Sequence, residues 1–132
     1  VASGGEISRL MLSLKALIAH AMALPSIVFD EVDTGVSGEI ADKMAGIMRE
    51  MAECMQVISI THLPQVASLG QTHYRVYKSD TETSTATHLI KLSEKERIEE
   101  IARMLSGSSL TAAALDNACE LLKRNDLKDG KK

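Results

Sequence analysis

Apolar residues recur at three- and four-residue spacing through Ile7, Leu10, Met11, Leu14, Leu17 and Ile18, and that period predicts an amphipathic helix from Glu6 to about Met22. Residues 1–5 form a short glycine-containing loop ahead of it. Ser3 is placed to cap the helix, and Glu6 stands three residues later, in capping-box order. Pro25 ends the connection. Residues 26–29 then make a short apolar run, which reads as a strand buried on both faces. Turn residues fill 34–38. Ile40, Met44, Ile47, Met48 and Met51 mark a second helix, with Glu39 and Lys43 paired at i,i+4 on its surface. Methionines at helical spacing read as core here rather than as a partner surface. Residues 57–60 form the next buried strand. A strand, a helix and a second buried strand in that order imply a right-handed crossover and parallel pairing. Residues 63–69 form a short helix closed by Gly70.

The pattern then changes. Residues 74–78 alternate, residues 85–92 are rich in β-branched side chains, and the polar stretch 79–84 lies between them. That is an antiparallel hairpin. Two helices follow, over 94–105 and 110–124, separated by Ser106-Gly107. The polar end, 125–132, reads as a frayed tail. One α/β domain over residues 1–124 is expected, large enough to bury roughly two-thirds of its unfolded surface.

Composition narrows the function classes. Hydrophobic residues at 45% and charged residues at 25% describe a soluble globular chain, and no apolar run is long enough to span a membrane. Cys54 and Cys119 are too few and too isolated for a disulfide framework or a zinc site, which points to a reducing compartment. A net charge of −3 argues against a strongly basic nucleic-acid surface on this chain, although not against DNA as a partner of a larger protein. The absence of Trp, with one Phe and two Tyr, argues against a base-stacking platform as well.

Three motifs carry candidate chemistry. Ser3-Gly4-Gly5-Glu6 runs directly into the first helix, where glycines allow close backbone approach and free N–H groups face an anion with the positive end of the dipole. Ile27-Val28-Phe29-Asp30-Glu31 puts two carboxylates at the C-terminal end of a buried strand, where α/β proteins place ligands. One can hold Mg²⁺ through water, and the other can orient or deprotonate an attacking water. Ile58-Ser59-Ile60-Thr61-His62 ends a neighbouring strand on an imidazole able to hydrogen-bond a phosphate. Taken singly, each has an ordinary structural explanation: a common loop, acidic residues capping the next element, a structural histidine.

Taken in order, these residues resemble the second half of an ABC-type ATPase head. Ala2-Ser3-Gly4-Gly5-Glu6 is similar to the signature motif, with Val1 where Leu is usual. Residues 26–31 resemble the Walker B strand with its catalytic glutamate, residues 32–36 the D-loop, and Thr61-His62 the switch histidine. Phe29-Asp30-Glu31-Val32-Asp33-Thr34-Gly35-Val36-Ser37-Gly38, Ser59-Ile60-Thr61-His62-Leu63-Pro64-Gln65-Val66-Ala67 and residues 97–107 resemble the bacterial DNA-repair members of the SMC-like branch rather than transporter subunits. The likeness runs from Val1 to about Lys123.

The resemblance implies the C-terminal lobe of an ABC/SMC-type P-loop ATPase head: mostly parallel inner strands with flanking helices, a hairpin and two C-terminal helices. It implies ATP and Mg²⁺ as ligands of the complete protein, a homodimer of heads sandwiching ATP, DNA as a partner, and a cytoplasmic, nucleoid-associated setting in bacteria. Asp30 would position the metal, Glu31 the lytic water and His62 the γ-phosphate, within one head. Ser3, Gly4, Gly5 and Glu6 would meet the nucleotide of the partner head, and Asp33 would link the two sites across the dimer. A P-loop is missing: the only Gly-Lys, at Gly130-Lys131, has Asn125 where the first Gly belongs and Lys132 where Ser or Thr belongs. In this family the Walker A half lies in an N-terminal lobe beyond a coiled coil, so the chain is expected to be a fragment. Two alternatives stand beside this reading: a transporter nucleotide-binding subunit, and a lobe with no activity of its own.

Overall fold

The computed structural model describes residues 4–81, 83–107 and 109–129. The chain divides after Leu69 into two compact units, where the sequence read as one domain. The first unit holds α1 (Gly4–Ala21), β1 (Ser26–Asp30), α2 (Gly38–Ala52), β2 (Gln56–Ile60) and α3 (Pro64–Ala67). The second holds β3 (Tyr74–Asp80), β4 (Thr85–Lys91), α4 (Glu94–Ser106) and α5 (Ala112–Asp129).

In the first unit β1 and β2 pair in parallel, in the register Ser26↔Gln56 through Asp30↔Ile60. The pairing is set at its start, where the Gln56 N–H donates to the Pro25 carbonyl at 2.9 Å. The core joins Leu12 and Ala19 of α1, Phe29 of β1, Val66 of α3, and Ala41, Met44, Ala45, Met48 and Met51 of α2. The methionines of α2 are therefore core, as their spacing implied. Glu39 and Lys43 meet on the outer face of α2 at 2.6 Å.

The apolar residues whose period marks α1, Ile7, Leu10, Met11, Leu14, Leu17 and Ile18, are all exposed, Leu17 by 70%. The helix packs instead through Leu12, Ala16 and Ala19, spaced for a second face whose alanines allow close approach to α2. The strands, read as buried on both faces, are buried on one. Phe29 is fully buried and Ile27 and Val57 are partly so, while Val28, Ile58 and Ile60 stand exposed on alternate positions. A pair of strands covered from one side leaves every second residue to solvent.

In the second unit β3 and β4 pair antiparallel from Tyr74↔Lys91 to Asp80↔Thr85, so β3 reaches two residues further into the connecting turn than the alternation suggested, while β4 starts at Thr85 as expected. The turn is closed by the Thr81 N–H donating to the Ser84 carbonyl at 2.8 Å. Across the strands Tyr77 stacks on His88 with centroids 4.9 Å apart, and the Arg75 guanidinium lies 5.7 Å from the Tyr77 ring centre. Helices α4 and α5 pack on each other, burying Ile101, Ala102, Ala114 and Ala118. Helix α5 continues to Asp129 with Asn125 buried, so the expected frayed tail does not begin at 125.

Helix α4 opens with a complete capping box. The Glu96 N–H donates to the Ser93 hydroxyl, and the Glu96 carboxylate accepts from the Ser93 N–H at 2.8 Å. The Ser93 N–H first, and second the Ser93 hydroxyl, which also donates to that carboxylate at 2.8 Å, hold the Glu96 carboxyl below its usual pKa. A lowered folded-state pKa contributes stability above the ordinary carboxylate range, and that contribution is lost as pH falls through the folded value. Ser93→Ala should cost about 0.5–2 kcal/mol in chemical denaturation at neutral pH. The deficit should shrink on acidification, and a pH-independent one would remove the Glu96 charge from the cap.

Candidate functional site

The register of the parallel pair decides which side chains meet. Asp30 ends β1 opposite Ile60, the last residue of β2, and the Glu31 N–H extends the ladder by donating to the Ile60 carbonyl at 3.0 Å. Asp30-Glu31 and Thr61-His62 therefore leave the same C-terminal edge of two adjacent strands, which lie about 4.8 Å apart. Asp30, Glu31 and His62 are exposed there.

Glu31 is held in a left-handed conformation, φ +48°, that residues with a Cβ seldom adopt. Its N–H is fixed in the ladder. Its carbonyl accepts from the Thr34 hydroxyl at 2.9 Å and from the Thr34 N–H at 3.3 Å. The Val36 N–H closes on the Asp33 carbonyl at 3.0 Å, and Gly35, at φ +76°, supplies the next left-handed position. Backbone strain of this kind costs on the order of 1–3 kcal/mol and persists where the surroundings over-determine it. Here it turns the chain sharply as it leaves the strand, directly after Asp30.

Asp33 lies inside this turn and is only 1% exposed. The Thr61 hydroxyl donates to Asp33 Oδ2 and accepts from the Leu63 N–H at 3.0 Å. Asp33 Oδ1 is buried with no hydrogen-bond partner among the described residues, and His62 Nδ1 stands 3.8 Å from it. The carboxylate expected to reach across a dimer is thus turned into its own unit. Sequence reading named Thr61 only as the neighbour of His62. A threonine just past a strand, beside an acidic turn on the paired strand, was the available signal.

Gly4 and Gly5 sit in the first turn of α1 rather than in a preceding loop, and Ser3, the expected cap, lies outside the described residues. Gly4 is open on its outer side. Gly5 is buried, and a Cβ there would meet Ile40 Cδ1 at 3.5 Å and the Gly35 carbonyl at 3.9 Å. The start of α1 is thereby set against the turn that follows Glu31. Glu6 is exposed one residue later.

Among the described residues no group of three or more His, Cys, Asp or Glu is gathered to hold a metal ion. Mg²⁺ does not require one, since it binds through one or two carboxylates, water and phosphate oxygens. The exposed Asp30-Glu31 pair fits that donor set. No helix among the described residues is long and apolar enough to cross a membrane.

The strain at Glu31 is directly testable. Glu31→Gly removes the Cβ from a left-handed position and should stabilise the chain by about 0.5–1 kcal/mol after glycine's greater unfolded-state entropy is subtracted. Thermal unfolding of the two forms measures it, and a destabilised glycine form would mean that the Glu31 side chain contributes more than the strain costs.

No protein-family model matches the chain. It is 47% identical over 122 residues to DNA repair protein RecN of Rickettsia conorii, 44% identical to that of Vibrio cholerae and 43% to that of Haemophilus influenzae. Each match covers 92% of this chain and 22% of the relative, so the chain spans about a fifth of the length of these curated proteins. Among solved structures, one from work on ATP-driven dimerisation and DNA-stimulated activation of SMC ATPases matches with a TM-score of 0.64 at 18% identity. It covers 83% of this chain and 65% of that one, and shows an SMC-type ATPase-head fold.

Proposed function

The chain is homologous to a segment of DNA repair protein RecN, and from that premise we propose that it is the γ-phosphate-handling part of an ATPase head that serves DNA repair. The observation that carries this reading is the shared strand edge, where Asp30, Glu31 and His62 emerge together with Glu31 in a strained, fixed conformation. Phosphoryl transfer asks a protein mainly for positioning and charge stabilisation, and these three side chains supply both. Asp30 would contribute a carboxylate to Mg²⁺, whose role when bound is to neutralise charge on the phosphates. Glu31 orients the attacking water and takes its proton. His62 hydrogen-bonds the γ-phosphate.

The start of α1 takes the complementary part. Gly4, with open space outside it, and the neighbouring Ser3, Gly5 and Glu6 would meet the γ-phosphate of ATP bound on a second head. Each head of a homodimer would then complete its partner's site. The exposed apolar residues of α1 and the outer face of β1–β2 support a further lobe of the same protein packing on this unit, the lobe that carries the nucleotide-gripping loop. DNA would be engaged by the complete protein, in line with the net charge of −3 on this segment.

Two outcomes test the reading in a full-length protein carrying this segment. Glu31→Gln should still dimerise on ATP, seen by analytical ultracentrifugation, while turnover falls by about 100-fold or more. Unchanged turnover would remove Glu31 from the chemistry. Separately, mixing a Ser3→Arg protein with one defective in its nucleotide-gripping loop should restore a fraction of the activity that each lacks alone. A mixture as inactive as its components would place the Ser3 contact within one head.

A further inference from the structure

We infer that Asp33 is a positioning residue for His62 within the same head, and that Thr61 is the clamp that holds it there. The inference rests on the proposed role of His62 as the γ-phosphate contact, and it assigns the mechanical connection between that histidine and the turn after Glu31.

The reason lies in how the Asp33 carboxylate is divided. It is almost wholly buried, where an acidic group is costly unless its oxygens are partnered. Oδ2 has its partner in the Thr61 hydroxyl. Oδ1 has none among the described residues, and the nearest ring nitrogen, His62 Nδ1, is 3.8 Å away, just beyond hydrogen-bond reach. The imidazole is 59% exposed, so a small rotation about its side-chain bonds closes that gap. Catalytic hydrogen bonds are often long before the substrate arrives and tighten in the complex.

Closing the pair has a defined chemical consequence. An Nδ1–H donated to Asp33 Oδ1 fixes the ring plane and sends Nε2 away from the carboxylate, towards the exposed strand edge where Asp30 and Glu31 also lie. A histidine's outer nitrogen is generally set by the bond its inner nitrogen makes. Thr61 makes the arrangement rigid: its hydroxyl donates to Asp33 and accepts from the Leu63 N–H, so the backbone on both sides of His62 is tied to the Asp33 turn. That turn begins with the carbonyl of Glu31, bound to Thr34. The side chains proposed to orient water and to contact phosphate thus share one hydrogen-bonded frame. Burial leaves Asp33 no free carboxylate edge for a contact with a second head, so its influence passes through His62.

A double-mutant cycle in a full-length protein carrying this segment tests this, with kcat, KM for ATP and the thermal midpoint measured for each form. Asp33→Asn keeps an oxygen for Thr61 and loses the acceptor opposite His62. It should lower kcat by about 10–100-fold, as losing an orienting partner does elsewhere, with KM and the thermal midpoint nearly unchanged. His62→Gln should lower kcat at least as much. The double variant should match His62→Gln alone, because Asp33 has nothing left to orient. Thr61→Val, of nearly the same shape, is the second probe: its loss in kcat should likewise vanish in the His62→Gln background.

Losses that multiply in the double variant would overturn the inference while leaving His62 in the mechanism, and so would full turnover in Asp33→Asn. Wild-type turnover in His62→Gln would sink the underlying assignment and the inference with it. If Asp33→Asn fails to fold, the Thr61→Val arm decides by the same criterion.

Discussion

The parallel pairing of β1 with β2 is the constraint on which the rest of the site depends. Its register is fixed at one end by the Gln56–Pro25 bond and at the other by the Glu31–Ile60 bond. Because side chains alternate along a strand, a slip of one residue would exchange buried and exposed faces and separate Asp30-Glu31 from Thr61-His62. Phe29, fully buried in the core of this unit, opposes such a slip, since it would move a large aromatic ring out of that core. Core packing and site geometry are thus one condition: the residue that anchors the strand immediately precedes the carboxylates.

The same strand pair explains why so much apolar surface is uncovered. Helix α1 spends its small face, Leu12, Ala16 and Ala19, on the core of this unit and leaves its large side chains outside. Val28, Ile58 and Ile60 do likewise on the sheet. Fully burying a side chain of this size stabilises by about 1.5–3 kcal/mol, so covering six half-exposed residues of α1 is worth on the order of 5–10 kcal/mol. Patches of that extent mark interfaces in soluble proteins. Such exposed apolar faces fit the proposed reading of this unit as one lobe of a larger head.

Much of this was legible in the sequence. The order of elements, the parallel pair, the hairpin and the i,i+4 pair of Glu39 and Lys43 followed from periodicity and turn residues. The SMC-type head fold followed from four motifs in family order. What periodicity lacks is direction: it finds an apolar face but cannot say whether the neighbour that covers it belongs to the same unit, so the strands read as buried on both faces and nothing marked the α1 stripe as exposed. The left-handed Glu31 was invisible because no glycine marks it; the conformation is imposed by bonds to Ile60 and Thr34, residues up to 29 positions away. The inward turn of Asp33 had the same cause, a partner just past the end of another strand. The capping box at Ser93 and Glu96 was readable from spacing alone and went unread.

The central claim is that this chain holds the groups that act on the γ-phosphate and lacks those that grip the nucleotide. Calorimetric titration of the chain with MgATP, alone and then together with the separately produced remainder of the head, tests it most directly. The account predicts no binding by the chain alone, and both binding and hydrolysis once the remainder is added. Tight, saturable binding of MgATP by the chain alone would contradict it.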